Sequence, residues 1–311
     1  MNPLPSPRPL RALLVLLGLL LVCARAAADI EVVTSFSILG DLVREVGGER
    51  VTVYALAGPD QDVHLHEPRP SDARRAGSAR LVAINGLGLD DWLPRLARSS
   101  GYKGAVVVAS DGIRPLPMNS PGDHDGDHEH GGSARRIDPH AWQDVDNVRI
   151  YIGNIAAALT AADPDGANIY RANAARYLAA LDALEADIRK AIARLPEERR
   201  KVVSSHDAFG YFARAYGLRF LAPAGVAGHS EPGARSVARL IAQLRREKSP
   251  PVFLENIQDS RLIERIRSES GAVAGGTLYS DALSSADGPA PTYLAMMRHN
   301  LATLMTALEA R

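Results

Sequence analysis

Thiols are nearly absent from this sequence: one cysteine, Cys23, stands in 311 residues, inside an N-terminal stretch that carries the marks of a targeting signal. Once that stretch is removed, the chain can form no disulfide and no thiolate metal site. A tightly held metal must then rest on imidazole and carboxylate. Excess charge of either sign is also lacking, with 36 Lys and Arg against 36 Asp and Glu, so nothing resembles a basic nucleic-acid footprint. There is no His-Glu-x-x-His helix, no Gly-x-Ser-x-Gly elbow and no Gly-x-x-x-x-Gly-Lys loop, hence no familiar protease site and no means of hydrolysing ATP.

Long apolar runs are missing too. The longest spans residues 12–22, well short of the roughly 20 residues that cross a bilayer, and Arg25 interrupts its continuation. Arg8 and Arg11 precede it and Ala26-Ala27-Ala28 come after it, the pattern of a secretory signal cleaved after Ala28. Val22 stands before Cys23, where a lipoprotein signal places a small residue, so Cys23 is expected to leave with the signal. Removing 28 of 311 residues leaves 283, enough for two lobes, and with three arginines gone the charge moves from zero to −3.

The mature chain has an α/β rhythm. Short β-branched runs at 30–34, 51–56, 81–85 and 105–109 alternate with amphipathic stretches, and 201–205, 218–221, 252–254 and 272–276 repeat the pattern. Between the halves, apolar residues recur in steps of three and four at Tyr170, Ala174, Tyr177, Leu181, Leu184, Ile188, Ile192 and Leu195. The spacing predicts one long helix over 164–194, with Asp163 as N-cap and Pro164 in its first turn. Four heptads are few for a coiled coil, so the stripe is assigned to packing against both lobes. The expected organisation is a signal at 1–28, an N-terminal α/β lobe at 29–162, a linking helix at 163–195 and a C-terminal α/β lobe at 196–311. The segment 123–132 interrupts the first lobe with three histidines, His124, His128 and His130, among four acids. It reads as a polar loop, either a solvated insertion or a weak collector of metal.

Four segments place a metal-competent side chain after a strand or before a helix, where open α/β sheets bind ligands. They are Gly58-Pro59-Asp60-Gln61-Asp62-Val63-His64-Leu65-His66-Glu67-Pro68, Asp138-Pro139-His140-Ala141-Trp142, Val202-Val203-Ser204-Ser205-His206-Asp207 and Gly275-Gly276-Thr277-Leu278-Tyr279-Ser280-Asp281. A lone histidine at a strand end is more often a hydrogen-bonded structural residue than a ligand; the combination of four points to a site. His64 and His66 share a face if that segment is extended, and Asp138 is placed to orient His140. Glu255 reads as a structural carboxylate near the cleft, and His229 and His299 as surface or helix residues.

These segments, together with Thr34-Ser35-Phe36-Ser37-Ile38-Leu39-Gly40-Asp41, Phe253-Leu254-Glu255-Asn256-Ile257 and Tyr279-Ser280-Asp281-Ala282-Leu283-Ser284, resemble the metal-binding proteins of ABC importers for zinc, manganese and iron. These are the cluster A-I, ZnuA/TroA-like solute-binding proteins. The resemblance covers the whole mature chain. It implies two α/β lobes bridged by a long rigid helix, with the metal in the cleft between them. Carried over by position, the ligands fall on His64, His140, His206 and Asp281. Relatives commonly have an aromatic residue where this chain has His66, which makes His66 an auxiliary metal candidate beside His124, His128 and His130. The third position separates manganese binders, which usually have glutamate there, from zinc proteins such as the AztC-like group, which have histidine.

The sequence thus points to a periplasmic, high-affinity Zn²⁺-binding protein, not an enzyme. It would be monomeric and would deliver zinc to an ABC transporter permease, with loading by a periplasmic zinc metallochaperone as a further expectation. A manganese or iron binder of the same family is the alternative. Another is a zinc hydrolase with an open coordination position, and a surface adhesin is a third class. Affinity is expected to fall below about pH 6.5, where ordinary imidazoles gain protons. For export, intact-mass analysis of the protein from its native envelope should give a chain starting at Asp29, and a lipid on Cys23 would contradict this reading of the signal.

Overall fold

The computed structural model describes residues 29–118, 136–222, 234–246, 250–257 and 260–310. The signal, the segment 123–132 with His124, His128 and His130, and His229 lie outside the described residues.

The first half builds a parallel sheet from β1 (Ile30–Phe36), β2 (Val51–Ala57), β3 (Leu81–Ile84) and β4 (Ala105–Val108), in the order β2-β1-β3-β4. Helices α1 (Ser37–Gly47), α2 (Pro70–Ser78) and α3 (Trp92–Ser99) connect these strands. Next comes a two-stranded antiparallel pair, β5 (Leu116–Pro117) with β6 (Ile137–Asp138); such short strands leave no periodic signal in the sequence. Then α4 (Val145–Ala162) begins after Asp144, whose side chain accepts from Asp146 N and so caps an otherwise unpaired N–H.

The long helix is α5 (Ala167–Ala193), 27 residues and about 40 Å at 1.5 Å per residue. All eight apolar residues read as its stripe are buried. Its start differs from expectation, because Pro164–Gly166 forms a separate 3₁₀ turn. The Asp163 carboxylate does not serve as the helix cap; Arg50 Nε and Nη2 reach it at 2.8 and 2.9 Å, and Tyr170 Oη at 2.6 Å. A bidentate guanidinium contact is stronger than a neutral cap, and it holds the carboxylate toward Arg50.

The second half repeats the topology of the first. Strands β7 (Lys201–Val203), β8 (Arg219–Leu221), β9 (Val252–Glu255) and β10 (Ala274–Leu278) form a parallel sheet in the order β10-β9-β7-β8. Helices α6 (Gly210–Tyr216), α7 (Ala234–Arg246) and α8 (Ser260–Ser270) serve it, and α9 (Tyr293–Glu309) closes the chain. In both sheets the first strand is interior and the chain leaves it in opposite directions, a switch point whose carboxyl-end crevice is the usual ligand site of such sheets. A core of Phe36, Trp142, Tyr170, Leu181, Phe209, Leu278 and Tyr293 runs continuously from one half through α5 to the other. Among the described residues no helix is long and apolar enough to cross a membrane.

The two halves are also tied by polar contacts. Asp41 on α1 accepts from Tyr293 N at 2.8 Å, which puts a carboxylate on the N-terminus of α9. Burial nonetheless pushes the Asp41 carboxyl up to about 6, against the lowering effect of that bond. Because its folded pKa lies above its unfolded one, the stability this group contributes is complete below about pH 3.8 and is lost as pH rises through about 6. The isostere Asp41→Asn should therefore stabilise the protein by about 2 to 3 kcal/mol at pH 7.5 and change little at pH 4. Lower stability of the variant at pH 7.5 in thermal melts would mean that the charge at the helix end outweighs its burial.

Candidate metal centre

Each of the four side chains singled out in the sequence is placed by a different local device. His64 lies in the connection from β2 to α2, where Asp62 Oδ1 accepts from His64 N at 2.7 Å and curls the chain into a turn. Asp60 has φ +53 and ties this loop across the cleft. Its N–H donates to Leu283 O at 2.9 Å, and its Oδ1 accepts from Asn256 Nδ2 at 2.9 Å. The turn also turns His66 away from His64, so the pair do not share a face. His66 stacks on Trp92 with centroids 5.0 Å apart, and its Nε2 lies 3.5 Å from Asp72.

His140 comes directly after β6. Asp138 Oδ1 accepts from His140 N at 2.9 Å and lies 2.7 Å from its Nδ1, which leaves Nε2 as the free nitrogen. Behind it is support that the sequence reading missed. Asn85 at the end of β3 donates to Pro139 O at 3.0 Å and accepts from Tyr151 Oη at 2.6 Å. Asp90 accepts from Asn85 N, Gly86 N and Ser35 Oγ. Asn85-Gly86-Leu87-Gly88-Leu89-Asp90 is a glycine-rich polar turn directly after a strand, a signal that could have found it.

His206 sits three residues beyond β7, in the crevice between β7 and β9, with Glu255 at the end of β9 beside it. Glu255 Oε1 accepts from Ser205 Oγ at 2.6 Å and from His206 N at 2.9 Å, while Oε2 lies 2.7 Å from His206 Nδ1. Asp281 comes after β10, whose register slips at Ala274/Gly276 in a bulge. That bulge needs its glycines: Gly276 has φ +108, and a Cβ on Gly275 would stand 2.5 Å from the Phe253 ring. The peptide before Asp281 is fixed from the first half, because Ser280 O accepts from both Trp142 Nε1 and Gln143 Nε2 at 2.9 Å.

These devices aim three imidazoles and one carboxylate at a single point. His64, His140, His206 and Asp281 each offer a ligand atom, all within 4.8 Å of one another. Four donors placed tetrahedrally 2.0–2.1 Å from an ion would stand about 3.3 to 3.4 Å apart. His64 Nε2 is 3.1 Å from His140 Nε2 and 3.2 Å from Asp281 Oδ2. His206 Nε2 is 3.1 Å from Asp281 Oδ2, and His140 Nε2 is 3.6 Å from Asp281 Oδ1. The three rings are tilted against one another by 56° to 82° rather than stacked, as rings radiating from a common centre must be. His66 is outside this cluster, and so is His299, whose Nε2 faces Thr277 O at 3.1 Å.

Electrostatics favour a cation there. Burial opposes charge on His140 and His206, yet the carboxylates of Asp281, Asp138 and Glu255 outweigh it and raise both imidazoles above their ordinary value. Burial likewise opposes charge on Asp281, and the two imidazoles overcome it and hold that carboxyl well below the usual range. Asp62 and Asp207 at the margin are pushed up, first by burial and then by neighbouring carboxylates. Proton competition therefore begins above the pH 6.5 expected for unperturbed imidazoles.

The family profile described as "Zinc-uptake complex component A periplasmic" matches residues 32–307. The chain belongs to this family. The manganese-binding lipoprotein MntA of Halalkalibacterium halodurans is 36% identical over 280 residues, which cover 90% of this chain and 89% of that protein. The iron-binding protein YfeA of Yersinia pestis is 34% identical over 281 residues, 89% of this chain and 86% of that one. Among solved structures, the periplasmic zinc-binding protein TroA from Treponema pallidum superposes with a TM-score of 0.79 at 30% identity, covering 90% of this chain and 99% of that one. As a ZnuA/TroA-like protein, the chain has the two-lobe α/β fold joined by a long helix, and it is the extracytoplasmic metal-binding component of an ABC-type importer. The family is one of transport proteins, and its members here are named for manganese, iron and zinc, so membership fixes the class of cargo and not the element.

With the His140 and His206 imidazoles raised above their ordinary value, a divalent cation bound there would displace protons. Calorimetric titration at pH 7 in buffers of different ionisation enthalpy should show roughly one to two protons released per ion bound. Heats independent of buffer would show that the imidazoles are already neutral.

Proposed function

We propose that this protein captures Zn²⁺ outside the cytoplasm and delivers it to the permease of an ABC transporter, with His64, His140, His206 and Asp281 as ligands. The observation that carries the reading is the donor set: three imidazole nitrogens and one carboxylate gathered within 4.8 Å of one another. Zinc accepts four nitrogen-rich ligands without geometric preference, whereas manganese favours more oxygen and higher coordination. Copper would bind the same set tightly, so selection in the cell also depends on metal supply. With Asp281 in the fourth position, no site is left for the metal-bound water that a zinc hydrolase needs.

The manganese or iron reading has its own support in the names of MntA and YfeA, the more so at 36% and 34% identity. The element at the third position argues for zinc, since His206 supplies nitrogen where a manganese site is expected to supply oxygen. MntA is a lipoprotein by name, while the residues preceding Cys23 favour release by cleavage after Ala28. Domain limits at 29–162, 163–195 and 196–311, a monomeric state and loading by a zinc metallochaperone complete the proposal.

Competition titration of the metal-stripped protein should rank zinc above manganese by at least about a hundredfold, as expected for a nitrogen-rich tetrahedral set. Alanine at His64, His140 or His206 should cost far more zinc affinity than alanine at His66 or His299. A preference for manganese in the wild-type protein would replace zinc as the cargo, and an equal loss at His66 would reassign the first ligand.

A further inference from the structure

We propose that Glu255 is the positioning residue for His206: it selects the tautomer that presents Nε2 to the ion and supplies the negative charge behind the ring. The inference rests on the ligand role given to His206 above. Glu255 is fully buried, and a carboxylate at that depth must be compensated. Most of its contacts run to the Ser205-His206 stretch, with Ser280 beside Asp281 as a further partner. Oε1 takes Ser205 Oγ at 2.6 Å and His206 N at 2.9 Å, and Oε2 stands 2.7 Å from His206 Nδ1. Burial works against its charge, and His206 first among its partners keeps the carboxyl below its ordinary value.

Tautomer selection depends on which of these partners can change. The His206 backbone N–H is an obligatory donor and must face an acceptor. An ionised carboxylate is an acceptor at both oxygens, so it can take that N–H and still demand a proton on Nδ1. With Nδ1 protonated, the lone pair of the neutral ring is on Nε2, the atom that lies 3.1 Å from Asp281 Oδ2. Asp138 does the same for His140 in the other half, with its Oδ1 on both His140 N and Nδ1. Each lobe thus supplies one imidazole whose far nitrogen is fixed by a buried carboxylate. Outer partners of this kind typically matter tenfold to a hundredfold in metal affinity.

Substituting Glu255 by its isostere makes the role separable from packing. In Glu255→Gln the amide oxygen must stay on His206 N, because that donor cannot reverse. The amide NH₂ then faces Nδ1 and favours a lone pair there, which moves the ring proton to Nε2 and blocks it as a ligand. Glu255→Ala leaves a cavity but leaves the tautomer free. We expect zinc affinity to fall about tenfold to a hundredfold in Glu255→Gln, and less in Glu255→Ala, while thermal stability ranks the other way, with Ala the less stable.

The test is a zinc competition titration on wild type and both variants, with melts on the metal-free proteins and imidazole ¹⁵N chemical shifts of His206. In the zinc-loaded protein the shifts should report a proton on Nδ1 and the metal on Nε2 of His206 in the wild type, and the loss of that pattern in Glu255→Gln. Glu255→Gln binding zinc as well as wild type, or better than Glu255→Ala, would reduce Glu255 to a packing residue and overturn the proposal. A wild-type protein that binds no zinc would instead sink the functional reading, a result distinguishable before any variant is made.

Discussion

The cleft is organised around a carboxylate that cannot stay buried by itself. Asp281 is completely inaccessible, and an ionised carboxylate taken that far from water costs several kcal/mol unless a counter-charge is close. Without a metal, the raised imidazoles of His140 and His206 are the groups placed to supply that counter-charge. On the proposed assignment, a divalent cation would replace their protons and satisfy the same carboxylate more fully. Metal affinity, proton release and the rigidity of the surrounding loops are in this sense three views of one buried charge.

Fold topology explains why the donors can meet. Each half is a parallel sheet of the same strand order, and each opens a crevice at the carboxyl end of its first strand. The His206–Glu255 pair occupies the crevice of the second sheet. Asn85, at the end of β3, supports the His140 loop from the first. Bonds across the cleft then fix the relative position of the two sets. Trp142 and Gln143 hold the peptide before Asp281, and Asp60 ties the His64 loop to Leu283. The continuous core along α5 keeps the lobes close enough for these bonds to form.

The strands, the alternation with helices and the stripe on α5 were legible in the sequence, because each is a local period of two or of 3.6 residues. The four side chains that cluster in the cleft were legible as well, since each stands in a short motif after a strand or before a helix. Hidden from the sequence were the features that depend on contacts between distant residues. The 3₁₀ start of the long helix depends on Arg50, more than a hundred residues before Asp163. The direction of His66 is set by a turn and by Trp92. The partnership of Glu255 with His206 joins residues 49 apart that meet only because β7 and β9 pair. No local pattern announces such pairings.

The proposed site is a four-coordinate, nitrogen-rich centre made of three imidazoles and Asp281. X-ray absorption at the metal edge of the zinc-loaded protein measures this directly. Four nitrogen and oxygen neighbours at about 2.0 to 2.1 Å are expected, with outer-shell scattering from three imidazoles. Five or six neighbours at longer distance, or scattering from only two imidazoles, would contradict it.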